Sequence, residues 1–95
     1  MELHLSKGGV DHAGNPLVTV TPTGSAPYEI DMAMMFCLLG VSRRLPTYRA
    51  GTCARLKVRG LVEGHGDNWS LTAKGEQVLP YCKSVIIRFV GGRDA

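Results

Sequence analysis

The sequence is poor in the features that most often announce chemistry. It holds three cysteines, Cys37, Cys53 and Cys82, odd in number, far apart and without a CxxC pair. That spacing excludes a disulfide framework and a linear zinc motif, and it reads as three reduced thiols acting as small buried hydrophobes. Long hydrophobic runs are missing as well. The longest uncharged apolar stretch, residues 32–41, is about half of a membrane span. Glu2 and His4 stand where a basic and then apolar leader would begin, so a cytoplasmic protein is expected. The three histidines, His4, His12 and His65, form neither HxxxH nor HExxH. Gly64-His65-Gly66 lacks the full glycine pattern and the lysine of a phosphate loop, and Ser42, Ser70 and Ser84 have no visible base. No catalytic constellation, metal or cofactor is expected, and the chain reads as non-enzymatic.

What is present is an ordinary globular composition. With 44% hydrophobic and 20% charged residues over 95 positions, the chain is neither disordered nor collagen-like, and it has room for one domain with a modest core.

Charge is unevenly placed. The formal net charge is +3, but residues 32–62 contain six cations (Arg43, Arg44, Arg49, Arg55, Lys57 and Arg59) and no carboxylate. The other five cations face all eight acids, a net of −3. A basic middle on a weakly acidic frame concentrates anions locally and is the electrostatic footprint of a nucleic-acid binder, or of a surface for an acidic protein. Five of the six are arginine, whose planar fork matches phosphate and guanine.

The pattern along the chain predicts a β-hairpin arm first. Residues 2–6 and 17–21 alternate polar and apolar, with Leu3 and Leu5 on one face and Val18 and Val20 opposite Leu17, Thr19 and Thr21. Gly8-Gly9 and Gly14-Asn15-Pro16 read as turns. Residues 28–39 read as a helix started by Pro27, with Glu29 and Asp31 at its positive end, apolar nearly all round and so central to the core. Gly40 is read as its breaker and Ser42 as a cap for the next helical segment. A basic helix begins at Thr47 or at Thr52, directs Cys53 and Leu56 inward, and stops at Gly60. Residues 61–63 and 68–71 form a hairpin around Gly64-His65-Gly66-Asp67. Thr72 caps a last helix carrying Val78, Cys82, Val85 or Ile86, and Phe89, with Pro80 expected to kink it and Gly91-Gly92 to end it. The β-branched run Val85-Ile86-Ile87 leaves a strand paired with the arm as the other reading of that segment.

The strings Ala54-Arg55-Leu56-Lys57-Val58-Arg59-Gly60-Leu61-Val62-Glu63 and Trp69-Ser70-Leu71-Thr72-Ala73-Lys74-Gly75 resemble winged helix-turn-helix regulators of the MarR-like and PadR-like kind. In those families the recognition helix ends in a Leu, three residues, then Gly-Leu-Val, and the wing closes on a Leu-Thr-x-x-Gly step. The match covers residues 29–79. It departs from the family pattern in a short 39–47 connection, with no length for a full second helix, and in a wing tip, residues 64–68, without Arg or Lys.

The resemblance implies an α+β fold, a small winged helix-turn-helix domain, to which the alternation of residues 2–6 and 17–21 adds an N-terminal β-hairpin arm. The arm takes residues 1–27, the winged helix 28–90 and a tail 91–95. It further implies a small transcriptional regulator that binds double-stranded DNA. Tyr48, Arg49, Thr52 and Arg55 would meet base edges or phosphates in the major groove, Arg43 and Arg44 would hold the flanking backbone, and Lys57 and Arg59 would meet phosphate or solvent. A homodimer through the last helix would supply a two-fold site. The other class of function left open is a winged-helix protein-binding module with an acidic protein partner, such as an inhibitor of a host complex encoded by a phage or mobile element.

Overall fold

In a computed structural model, residues 2–45, 50–66 and 68–93 are described. The elements run β1 (Leu3–Val10), β2 (Pro16–Pro22), β3 (Tyr28–Ile30), α1 (Met32–Ser42), α2 (Ala50–Val58), β4 (Val62–His65), β5 (Asn68–Leu71) and α3 (Ala73–Arg93). The fold is α+β, with a three-stranded sheet β1-β2-β3, a separate two-stranded sheet β4-β5, and three helices. Among the described residues no helix is long and apolar enough to cross a membrane.

The arm is antiparallel and its alternation decides which face is buried. Val18, Val20 and Pro22 point inward, and Leu3 and Leu5 of β1 pack on the same core. The turn is at Asp11–Asn15, where the Asp11 carboxylate accepts from the amides of Ala13 and Asn15, each at 2.9 Å. Gly8-Gly9 is not a turn: β1 runs on to Val10, with a break in register between Lys7 and Val10 that takes Gly9 to a φ of 91°.

Four further expectations fail for local reasons. Tyr28–Ile30 is a strand, not the first helical turn. Val18 pairs with Ile30 and Val20 with Tyr28, so this segment gains a ladder that an isolated helix end lacks. Gly40 does not stop α1; it is buried inside the helix, which ends two residues later at Ser42. Ser42 caps nothing downstream, since its hydroxyl donates back to the Leu39 carbonyl at 2.7 Å. Thr52 lies within α2 and does not start it, and the alternative start, Thr47, lies outside the described residues.

The core is aliphatic and sulfur-rich. Met34, Met35 and Leu38 of α1 meet Cys53 and Leu56 of α2, Leu61 and Val62 at the start of the β4-β5 hairpin, and Val78, Cys82 and Ile86 of α3. The spacing of these residues on α1 fits the helical period, and burial on several sides explains why its sequence is apolar nearly all round. Residues 84–90 are helical. α3 continues through Pro80 and past Gly91, and it packs on β1 and β2 with its side chains where a strand from this segment would have used its backbone.

One junction ties the elements together. Leu61 donates its amide to the Leu56 carbonyl at 3.1 Å, and its own carbonyl accepts from Thr72 at 3.1 Å. The Thr72 hydroxyl donates to the Gly60 carbonyl and accepts from the Gly75 amide at 3.1 Å, capping α3. Gly60 sits at a φ of 76°, the left-handed stop expected after α2. Gly75 lies against the Leu61 carbonyl so closely that an added Cβ would be driven into that backbone oxygen. Gly75→Ala should therefore destabilise the fold by about 1–3 kcal/mol, read as a lower urea midpoint at unchanged m-value.

Burial also pushes the Cys82 thiol up to about 12 from an ordinary 9.0. The folded chain keeps a proton that the unfolded chain releases above pH 9. That contribution is complete below pH 9 and is lost as pH climbs from there towards 12, at about 1.4 kcal/mol per pH unit. Cys82→Ala should start less stable but decline less steeply than the parent in urea melts taken across that alkaline window.

Candidate functional site

Of the eight residues singled out for anion contact, Tyr48 and Arg49 lie outside the described residues. The other six are placed by three structural devices, all of which also serve the fold.

The first is the end of α1. The Arg44 amide donates to the Val41 carbonyl at 3.1 Å, and the Leu45 amide to the Gly40 carbonyl at 2.9 Å. This is the paired closure of a Schellman motif, which ordinarily puts glycine in the left-handed position. Here that position is Arg44, at a φ of 56°, the one non-glycine with positive φ among the described residues. An L side chain there costs roughly 1–2 kcal/mol. Arg43, the C-cap, and Arg44 are both exposed. Arg44 borders a groove between α1, β5 and α3 that Trp69, Glu76, Leu79 and Lys83 also line.

The second device is the Asp31 carboxylate. One oxygen accepts from the Met34 amide at 2.8 Å and caps α1, making Asp31 a cap and not a first-turn charge. The other accepts from Arg55 Nη2 at 2.8 Å, joining α2 to the start of α1. The pair is partly exposed and is worth about 0–1 kcal/mol. It fixes where the Arg55 guanidinium points more than it fixes the fold. Thr52, one turn earlier on α2, is half-buried.

The third device supports the β4-β5 hairpin. Lys57 Nζ donates to the Gly64 carbonyl at 3.0 Å and lies 5.9 Å from the centre of the Trp69 ring. The Trp69 indole donates to the Gly66 carbonyl at 2.8 Å. Just past α2, Arg59 Nη1 donates to the Arg55 carbonyl at 3.0 Å, while its guanidinium sits 5.7 Å from the Tyr28 ring. Arg59 Nε and the Tyr28 hydroxyl are enclosed, and burial pushes the Tyr28 phenol upward, only partly opposed by Arg59.

The basic segment is thus divided. Arg43 and Arg44 stand free of ion pairs among the described residues, at one end of α1. Arg55 and Arg59 reach to the opposite end, at Asp31 and Tyr28. Lys57 leans on the β4-β5 hairpin. The partners Asp31, Tyr28 and Gly64 are the part that sequence reasoning missed. The only sequence signal was an Asp three residues before Met34, the spacing of a cap.

Elsewhere, all three cysteines are free and buried, as the sequence suggested. Cys37 Sγ on α1 lies 3.2 Å from Cys53 Sγ on α2. Burial, then the neighbouring thiol, pushes Cys37 up to about 12.

Because Arg44 occupies a glycine position, Arg44→Gly should raise stability by about 0.5–1 kcal/mol net of the freedom glycine adds to the unfolded chain, and Arg44→Ala should not. Thermal melts of the three proteins test this.

No protein-family model matches the chain, and no curated protein or solved structure is found to be similar to it.

Proposed function

We propose that this chain is a winged-helix DNA-binding protein, a small non-enzymatic regulator of transcription. In this reading α2 lies in the major groove and β4-β5 is the wing. The observation that carries the reading is Arg44. A cation is kept, exposed, in a backbone position that favours glycine, and strain of that kind is retained where a side chain has work to do. Two others support it. α2 buries Cys53 and Leu56 and leaves Arg55 and Lys57 outward, as a helix must if one face is to be packed and the other read DNA. The order α1, α2, hairpin, α3 agrees with the family resemblance of residues 29–79.

On duplex DNA, Arg43 and Arg44 would contact backbone phosphate, with Tyr48, Arg49, Thr52 and Arg55 at or near base edges. Arg55 would exchange the Asp31 carboxylate for phosphate or guanine, at little cost because the pair is partly exposed. Lys57 and Arg59 act mainly as braces and add positive potential. A protein this small gains useful specificity as a dimer. α3 is proposed as the contact, since Ile87 and Val90 are 68% and 49% exposed on it.

The second reading, a module that grips an acidic protein, is favoured by one observation. Arg55, Lys57 and Arg59 already have partners within the fold, so fewer cations are free for phosphate.

The deciding measurement is anisotropy of labelled random duplex DNA titrated with the protein over about 50–200 mM salt. About three to six phosphate contacts should give a log–log salt slope of roughly −3 to −5. Arg43→Ala/Arg44→Ala should weaken binding across all sequences and flatten the slope by about 1–2. The Arg49→Ala/Arg55→Ala pair should abolish it. Circular dichroism must report each variant folded. Absence of binding by the folded parent at the lowest salt overturns the DNA reading in favour of an acidic protein partner.

A further inference from the structure

Cys37 and Cys53 sit on different helices, 16 residues apart in sequence, with their sulfurs 3.2 Å from each other in the core. Cys37 is 5% exposed and Cys53 is sealed. A disulfide needs the two sulfurs about 2.05 Å apart, so the bond requires closure by little more than an ångström between side chains that already face each other. Helix packing has done much of the entropic part, since it already holds the two thiols in contact. Buried cysteine by itself has an ordinary explanation as a small hydrophobe. The pairing of two such residues across a helix–helix contact does not follow from that explanation, because any small apolar side chain would fill the same space.

We propose that Cys37 and Cys53 form a redox couple, a dithiol that closes to an intramolecular disulfide and staples α1 to α2. With oxidised glutathione as oxidant, one cysteine thiolate attacks the glutathione disulfide, forming a mixed disulfide and releasing a glutathione thiolate. The second cysteine thiolate attacks the protein sulfur of that mixed disulfide and releases the second glutathione. Two protein thiols are oxidised to one disulfide, one glutathione disulfide is reduced to two thiols, and the two protons pass to the glutathione sulfurs. The closed loop would carry Arg43, Arg44, Tyr48, Arg49 and Thr52, so oxidation fixes the span holding three of the six cations of residues 32–62. The site is independent of whether that segment meets DNA.

Burial makes the first attack slow, because little thiolate is present and the oxidant must wait for the α1–α2 contact to open. Equilibrium, not rate, is therefore the quantity to measure. The full chain, unfolded in urea and refolded in glutathione buffers of graded oxidised-to-reduced ratio, is quenched with acid, alkylated and mapped by mass spectrometry. The expected product is two hydrogens lighter, with the Cys37 and Cys53 peptides joined and Cys82 alkylated. It should melt about 10 °C higher than the reduced form, as closing a loop of this length predicts. Cys82→Ser should give the same product and Cys53→Ala should not. A bond to Cys82, a persistent glutathione adduct, full alkylation in the most oxidising buffer, or a cross-linked form that melts lower would overturn the proposal. The mapping of the parent protein decides these outcomes even if a variant fails to fold.

Discussion

The backbone knot at Leu61 and Thr72 carries the architecture. Leu61 is fully buried, and its amide and carbonyl are both spent, one on the end of α2 and the other on the residue that starts α3. Thr72 satisfies two groups with one hydroxyl, the Gly60 carbonyl that α2 leaves open and the Gly75 amide that α3 leaves open. Helix ends are where backbone polar groups lack partners, so two ends that complete each other can approach without burying an unpaired group. The approach is closer than a Cβ allows, which is why position 75 is glycine. The wing hairpin hangs from this junction: Val62 and Leu71 are paired strand neighbours immediately inside it.

A second constraint joins α2 to α1. The Asp31 carboxylate caps α1 and holds Arg55, and the Cys37 and Cys53 sulfurs touch one turn further in. α2 is short, nine helical residues among those described, and a helix of that length has little stability of its own. It holds its place through Leu56 and Cys53 on its inner face and through polar contacts at its rim. The cations at that rim have a mixed role. Lys57 and Arg59 lay their stems and charged heads on Trp69 and Tyr28, so they connect α2 to the wing and to the arm sheet as well as adding positive charge. Among the described residues the Arg43 and Arg44 side chains have no such partner, and Arg44 is held against its backbone preference. Exposure without structural duty is the physical difference that separates these two arginines from the rest of the basic segment.

Much of the fold was legible because the relevant signals were local. Alternation in 17–21 indicated which residues of β2 face inward, and Val18 and Val20 are buried. Gly60, Thr72 and Gly75 each stand where a left-handed stop, a cap and a close approach are needed. The errors cluster where local preference and tertiary gain compete. Residues 28–30 carry helix-start chemistry, yet pairing with β2 provides them a ladder. Gly40 is a poor helix former, yet it is buried inside α1 and the helix runs past it. In 85–87 a β-branched run sits in a helix because Ile86 and Cys82, four apart, both reach the core.

The sequence by itself determined the order of the helices and the hairpin that follow β3, the basic character of residues 32–62 and the inward direction of Cys53 and Leu56, since these depend on composition and on the period of the chain. Only the tertiary structure decided which cations are committed and to what. The Asp31–Arg55, Lys57–Trp69 and Arg59–Tyr28 partnerships join residues 12 to 31 apart in sequence, and the meeting of Cys37 with Cys53 requires two helices to cross. No periodicity encodes such pairs. They exist because burying the apolar faces of α1, α2 and α3 in one core brings their polar rims together, and each charge then takes the partner that packing leaves within reach.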